Sequence, residues 1–247
     1  MYFGFPKASH LVAQKIRQEI LSGNAQEGAP LRSVREMVDR LGVASTTVRE
    51  ALRVLEAEGL VTIKPGPKGG VFVRRPSHES ITKQLAFLLQ FENTSLSSIL
   101  EARRLLEPIC ARLAASRANA HDMQALEESI DRLEQLSTGR DPFAWVRENA
   151  EYHMIVATAA RNDVLRIFLT SLRELIHVST IPVSGLQASR TRTIMAHRNI
   201  LAAIKDHDSD RAEDSMLEHL LSFEKALTEA QAIGDPSSGL LMVLPGR

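Results

Sequence analysis

Little in this sequence would tie it to a membrane or to an oxidising compartment. It has a single cysteine, Cys110, so no internal disulfide can form and a reducing environment is expected. No apolar run reaches the roughly 18 residues that a membrane span needs, and the N-terminus has no signal-peptide pattern. A cytoplasmic protein with no membrane partner is expected. Aromatic residues make up only 4% of the chain, with one Trp. That scarcity, beside many Leu, Ala, Glu and Arg, favours helix over sheet. Net charge is missing too, because 30 basic side chains face 30 acidic ones.

What is present is a globular balance of 44% hydrophobic and 24% charged residues over 247 positions, enough for one or two domains. The neutral total conceals an uneven spread. Residues 1–76 carry 12 Lys or Arg against 7 Asp or Glu, a net +5, which leaves −5 on residues 77–247. A basic front joined to an acidic back suggests two tasks, the first of them contact with a polyanion.

The front segment reads as helix, turn, helix, hairpin. Residues 8–22 form a helix with Leu11, Ile16, Ile20 and Leu21 as its apolar set, stopped by Gly23. A loop with Gly28 and Pro30 follows. Ser33 caps a short helix over 33–40, which stops at Gly42, and Ala44 or Ser45 opens another ending at Gly59. Two helices joined by a Gly-containing turn are the helix-turn-helix pattern. The β-branched runs 60–64 and 70–75 enclose PGPKG, a hairpin or wing. From Ser80 to about Ala232 helix is expected throughout, near 78–91, 95–118, 121–137, 142–160, 162–180, 187–206 and 209–231. The fold class is mainly α: a winged helix-turn-helix over 1–76, an all-α antiparallel bundle over 77–233 and a flexible tail over 234–247.

The helix opening at Ser45 has two halves of different character. Val48, Leu52, Leu55 and Leu60 form an apolar stripe suited to a core, whereas Ser45, Thr46, Thr47 and Arg49 serve no core. A helix N-terminus in a major groove uses such groups: hydroxyls for phosphate oxygens or base edges, and an arginine for guanine. Arg35 is placed to hold a phosphate, and Lys64, Lys68 and the wing-tip glycines, Gly66 among them, to enter the minor groove. The plainer alternative is an N-cap cluster followed by a solvated face.

The run LRSVREMVDRLGVASTTVREALRVLEAEGLVTIKPGPKGGVFV (31–73) resembles the winged helix-turn-helix of GntR-type bacterial transcription regulators, with the likeness beginning at residue 11. Three departures stand out. Arg32 replaces the family's Pro, Val34 its Glu, and Ala44-Ser45 its Ser-Arg pair. The resemblance implies that one DNA contact is lost before the Thr cluster and that Arg32 can supply another.

Four of the eight histidines, His10, His78, His121 and His207, belong to no constellation and read as surface residues. Three others do combine. Asn149 and His153 lie four apart, on one helix face. His197 and His219 each lie 11 residues from Asp208, where a helical hairpin is expected to turn. In an antiparallel pair both then sit ~16 Å from the turn, side by side, at ~1.5 Å rise per residue. If the helix of Asn149 and His153 packs on that hairpin, one oxygen and three imidazoles converge in a bundle core. Such a set suits a divalent ion, Zn²⁺ first and Ni²⁺ or Mn²⁺ as alternatives, with positions left open for a ligand. His177, on a mostly apolar helix, is a further candidate wall of that cavity. Three unrelated core histidines are the alternative.

Residues 99–115, 148–165 and 197–220 resemble the FCD domain, the helical effector domain of the FadR-like GntR subfamily. The motifs that match are E-x-R-x-x-L-E, N-x-x-x-H, H-x-x-I-x-x-A-I and M-x-x-H. The resemblance implies metal binding through Asn149, His153, His197 and His219, with Asn149 standing where most members have Asp. An amide oxygen is a weaker, neutral ligand, so the site keeps one more positive charge. Arg103 matches the family's pocket-facing arginine and is expected to bind an effector carboxylate; Arg104, or a surface ion pair with Glu107, is the plain alternative. The implied function is a homodimeric, ligand-responsive repressor on a palindromic double-stranded operator, sensing a small organic acid. A metal-free effector pocket is the second reading. A metal-dependent hydrolase is the third, weakened because Glu148 and Glu151 fall about 140° and 200° round the helix from the ligands.

Overall fold

Residues Ser9, Val12, Ala13, Ile16 and Ile20 share one face of helix α1 (Ala8–Ser22) and are buried together. Leu11 and Leu21, expected in that apolar set, are 53% and 69% exposed. They lie about 120–160° round the helix from the centre of the buried face, and Val12 and Ala13 take the places they were expected to fill. The structure, a computed structural model, describes residues 7–23, 26–66, 69–76, 84–85, 87–89, 91–139, 141–176 and 187–233. Lys68, His78, His177, the expected break near 182–185 and the 234–247 tail lie outside them. The chain divides into two compact units, Met1–Ser80 and Ile81–Arg247.

In the first unit, α2 (Val34–Leu41) is opened by a capping box. The Ser33 side chain accepts from the backbone N–H of Glu36, and the Glu36 carboxylate accepts from the N–H of Ser33. It ends at Gly42 in the left-handed region, φ 65°, which glycine occupies without a Cβ penalty. Helix α3 (Ser45–Ala57) follows after two residues. Val48, Leu52 and Leu55, and Leu60 just beyond, are buried with Ile16 and Met37. Strands β1 (Val61–Lys64) and β2 (Gly70–Val73) pair antiparallel from Val61 opposite Val73 to Lys64 opposite Gly70. The loop containing Gly28 and Pro30 turns out to be a third sheet edge. Gly28 N–H donates to Val73, Val73 N–H to Ala29 and Leu31 N–H to Val71, with a bridge at Pro30–Phe72. Proline is tolerated on an edge because its missing N–H costs no ladder bond.

Among the described residues the regular elements of the second unit are helices: α4 (Leu96–Arg117), α5 (Ala120–Ser137), α6 (Pro142–Ala159), α7 (Asp163–Ile176), α8 (Gln187–Lys205) and α9 (Ser209–Ile233). The N-termini of α4, α5 and α6 are set by side-chain caps from Ser95, Asn119 and Asp141. Helix α4 packs on α9 and α6, α5 on α6 and α8, and α8 on α9. The core is built on Leu126, Leu133, Tyr152, Ile200, Ile204 and Met216. Helices α8 and α9 form a hairpin that turns at Asp206–Asp208. His207 sits in this turn with φ 55° and its ring Nδ1 2.8 Å from the Ala115 carbonyl.

Candidate metal centre and nucleic-acid interface

Ala44 holds the N-cap position of α3 and makes no side-chain cap. Ser45, Thr46 and Thr47 therefore occupy the first turn itself, Ser45 and Thr46 exposed and Thr47 half-buried. Arg49, one turn on, is exposed, as are Arg35 and the wing residues Lys64 and Gly66. Among the described residues Arg49 and Arg35 have no ion-pair partner, whereas Arg32 stands 3.7 Å from Glu19. The Lys64 ammonium lies 4.9 Å from the centroid of the Phe72 ring. At the wing tip Gly66 has φ 100°, and a Cβ on Gly69 would meet the Lys64 carbonyl oxygen at 2.2 Å. Both positions need glycine for the tight turn to close. The cations of α3, α2 and the wing, with the Ser45 and Thr46 hydroxyls, are thus presented to solvent, while the apolar stripe of α3 is buried in the core of the unit.

In the second unit three helices bring three imidazoles together: His153 from α6, His197 from α8 and His219 from α9. All are buried, and each offers a ring nitrogen within 4.8 Å of the others. Ring centroids are separated by 5.3 Å (His153–His197), 5.2 Å (His153–His219) and 4.9 Å (His197–His219). The α8–α9 turn is what puts His197 and His219 at one height.

The donor set fits a metal ion on two observations. First, both ring nitrogens of His197, and Oδ1 of Asn149, are buried without a hydrogen-bond partner, a costly state for polar atoms unless something else binds them. Second, His153 Nε2 and His219 Nε2 stand 3.3 Å apart. Two nitrogens held by one tetrahedral zinc at roughly 2.0–2.1 Å would also stand about 3.3 Å apart. Burial, then the neighbouring His219 and His153, pushes His197 far below the usual imidazole range. Burial, then His153 and Arg103, takes His219 down to about 3, with Glu107 opposing. Both rings are neutral at pH 7, the form that ligates metal.

Behind His153 lies a residue that was not singled out from the sequence as part of the centre. Glu107 Oε2 is 2.6 Å from His153 Nδ1, and its Oε1 accepts from Arg103 Nε. Arg103 is thus paired with Glu107, but the pair is largely buried rather than on the surface. Burial alone would raise the Glu107 pKa; the Arg103 charge and the hydrogen bonds from Arg103 and His153 outweigh it and hold the carboxyl well below the usual range. The sequence signal was the Arg103/Glu107 i,i+4 spacing, followed by Cys110, Ala111 and Ala114 on a buried face. Tyr152, also unforeseen, stacks on His197 with centroids 3.7 Å apart and planes at 8°. The other two acids weighed from the sequence face elsewhere. Glu148 binds Ser129 and Arg132, and Glu151 binds Arg173.

A cleft of about 240 Å³ opens beside the cluster between α8 and α9. His219 is part of its lining, with Arg192, Thr193, Asn199, Ser215, Glu218 and Ser222.

Comparison with known proteins gives the same division. Residues 8–73 match the bacterial regulatory proteins of the gntR family, and residues 98–222 match the FCD domain. The chain is 27% identical over 217 residues to the galactonate operon transcriptional repressor of Escherichia coli, covering 86% of this chain and 93% of that one. It is 29% identical over 235 residues to the Uxu operon regulator of Haemophilus influenzae, covering 91% and 84%. It is also 26% identical over 220 residues to the transcriptional regulator LutR of Bacillus subtilis, covering 85% and 96%. Among solved structures, Streptococcus agalactiae GntR superposes with a TM-score of 0.69 at 25% identity, over 88% of this chain and 99% of that one. These relatives are named as regulators of transcription, not enzymes, which removes the hydrolase reading. Among the described residues no helix is long and apolar enough to cross a membrane.

Proposed function

This chain belongs to the gntR family of bacterial regulatory proteins and carries an FCD domain, and on that premise we propose that it is a repressor whose grip on operator DNA is set by a small organic acid bound beside a metal ion. The winged head reads DNA through Ser45, Thr46, Thr47 and Arg49. Arg32, Arg35, Lys64, Gly66 and Lys68 add backbone and wing contacts. The chain works as a homodimer on a palindromic operator, in the cytoplasm. Exposed Leu105 and Ile109, on one face of α4, support association of the helical units.

One observation carries the effector reading. His219 belongs both to the imidazole cluster and to the wall of the α8–α9 cleft. An acid in that cleft lies against one ligand of whatever the cluster holds. His153, His197, His219 and Asn149 would hold the ion, zinc by the chemistry of three imidazoles. A bound ion supplies a Lewis-acidic anchor for a carboxylate. Arg192 suits the carboxylate of such an acid, and Thr193, Asn199, Ser215, Ser222 and the acceptor Glu218 suit its hydroxyls. The E. coli relative is named for a galactonate operon, and galactonate is a polyhydroxy carboxylate. Arg103, which is not part of that cleft's wall, contributes through its charge, which is already felt at His219.

The test is a thermal-shift series on zinc-loaded protein with galactonate and other small hydroxy acids, followed by mobility shift on the DNA upstream of its own gene. A hydroxy acid that stabilises the protein and changes DNA retention supports the reading. Indifference of the loaded protein to the whole series overturns the effector assignment.

A further inference from the structure

The hydrogen bonding around His153 contains more than a ligand. Its Nδ1 lies 2.6 Å from a carboxylate oxygen of Glu107. Two acceptors at that separation would repel, so a proton lies between them on Nδ1. The same carboxylate uses its other oxygen for Arg103 Nε, so both oxygens are engaged by donors. With the Nδ1 proton fixed, the Nε2 edge of His153 is the one facing His219 at 3.3 Å. His197, by contrast, has no hydrogen bond on either nitrogen. Of these two rings, only His153 has its orientation and tautomer set by a charged group.

We infer that Glu107 is a positioning residue of the metal centre: it accepts the Nδ1–H of His153, so that Nε2 is the nitrogen offered to the ion. This rests on the metal reading given above. It adds a residue from a fourth helix, α4, which supplies no ligand itself. A carboxylate behind a ligating imidazole fixes its ring and raises its basicity, and loss of such a partner typically costs 10–100-fold in metal affinity. It also links the anion site to the ion. An acid that draws on Arg103 acts on the partner of Glu107, and through Glu107 on His153. Metal affinity and acid affinity must then change each other by the same factor.

Glu107→Gln is the informative variant because it preserves size while breaking the pattern. A carboxylate can accept from Arg103 and His153 at once, whereas an amide presents one oxygen and one NH₂. Either Arg103 loses its acceptor, or the NH₂ faces Nδ1 and drives the ring to the other tautomer.

The experiment has two arms. In full-length wild-type protein, ¹⁵N-histidine NMR reads the tautomer of His153 with and without Zn²⁺. Protonated Nδ1 in both states is expected; a His153 bound through Nδ1, or protonated only at Nε2, overturns the proposal. This arm needs no variant and gives its answer in the metal-free protein too. In the second arm, chelator competition measures Zn²⁺ affinity of wild type and of E107Q, with circular dichroism as the check of fold. E107Q weaker by 10–100-fold supports the role; affinity within about twofold of wild type overturns it. Wild type that takes up no ion defeats the metal reading itself, a result distinct from equal binding by both proteins.

Discussion

The Tyr152 ring lies flat against the His197 ring, centroids 3.7 Å apart, while its hydroxyl donates to the His197 backbone carbonyl at 2.8 Å. One side chain thus fixes both the ring and the backbone of a histidine whose own nitrogens have no hydrogen bond. The phenol is fully buried, and burial pushes its ionisation out of the accessible range, so it serves as donor at any working pH. Tyr152→Phe keeps the stack and removes the donor. The loss should be about 0.5–1.5 kcal/mol, the net value of one hydrogen bond. For a unit of this size that lowers Tm by about 2–5 °C, with zinc affinity nearly unchanged. Differential scanning calorimetry checks it; an unaltered Tm would show the hydroxyl bond to be idle.

Asn149 sits one helical turn before His153, and its Oδ1 is buried without a partner. Asn149→Asp replaces a neutral amide oxygen with a charged one. The consequence has two signs. Without metal, an unpaired buried carboxylate destabilises the fold, so apo Tm falls. With metal, the harder and charged ligand binds more tightly and shifts preference toward Mn²⁺. Release into a chelator, followed by absorption, should slow relative to wild type. Faster release would mean that position 149 does not coordinate.

How far the sequence was legible depends on whether its signals were local. Helices α3 to α9 were readable from period and breakers, because Gly42, Pro142 and Asp206–Asp208 stop or start helices by their own backbone chemistry. The edge formed by Gly28–Leu31 was not readable. Its turn-forming residues look like loop, and its pairing to β2 is made about 40 residues away. Three histidines could be brought together on paper because two of them are equidistant from one turn. Glu107 could not, since an i,i+4 Arg/Glu pair reads equally well as a solvated face. Only the packing of α4 against α6 and α9 turns that pair inward. Arg190 gave no signal either. Its guanidinium is buried and donates to the carbonyls of Leu136, Ser137 and Gly139, closing the C-terminal end of α5 from 51–54 residues away.

Removing the ion should cost stability by mass action, because the unfolded chain has no preformed site. At free zinc 100-fold above Kd the bound ion contributes about 2.7 kcal/mol, which is roughly 5–10 °C in Tm for this unit. Dialysis against chelator should produce a fall of that order, and readdition of Zn²⁺ should reverse it. His153→Ala and His197→Ala should each remove the difference, along with the metal counted by elemental analysis. Both histidines are buried, and His153 also serves Glu107, so either alanine opens a cavity and metal content is read beside circular dichroism as the check of fold. Unchanged metal content in both variants would refute the centre.

Arg49 is exposed one turn into α3, beside hydroxyls that no cap uses. It belongs to the head's surface, so Arg49→Ala should leave the Tm and oligomeric state intact. If Arg49 reads a guanine, its loss costs about 1–3 kcal/mol and relaxes preference at that base pair, while the salt dependence of binding stays the same. If it holds a phosphate, affinity falls on every sequence alike and the slope of log K against log[salt] shrinks by about 1. The position favours the first outcome, because the first turn of the helix already offers Thr46 and Thr47 to the backbone. Titration of an upstream DNA fragment and a shuffled control, each at several salt concentrations, separates the two. Operator affinity equal to wild type at every salt would take Arg49, and with it the assignment of α3 as the reading helix, out of the account.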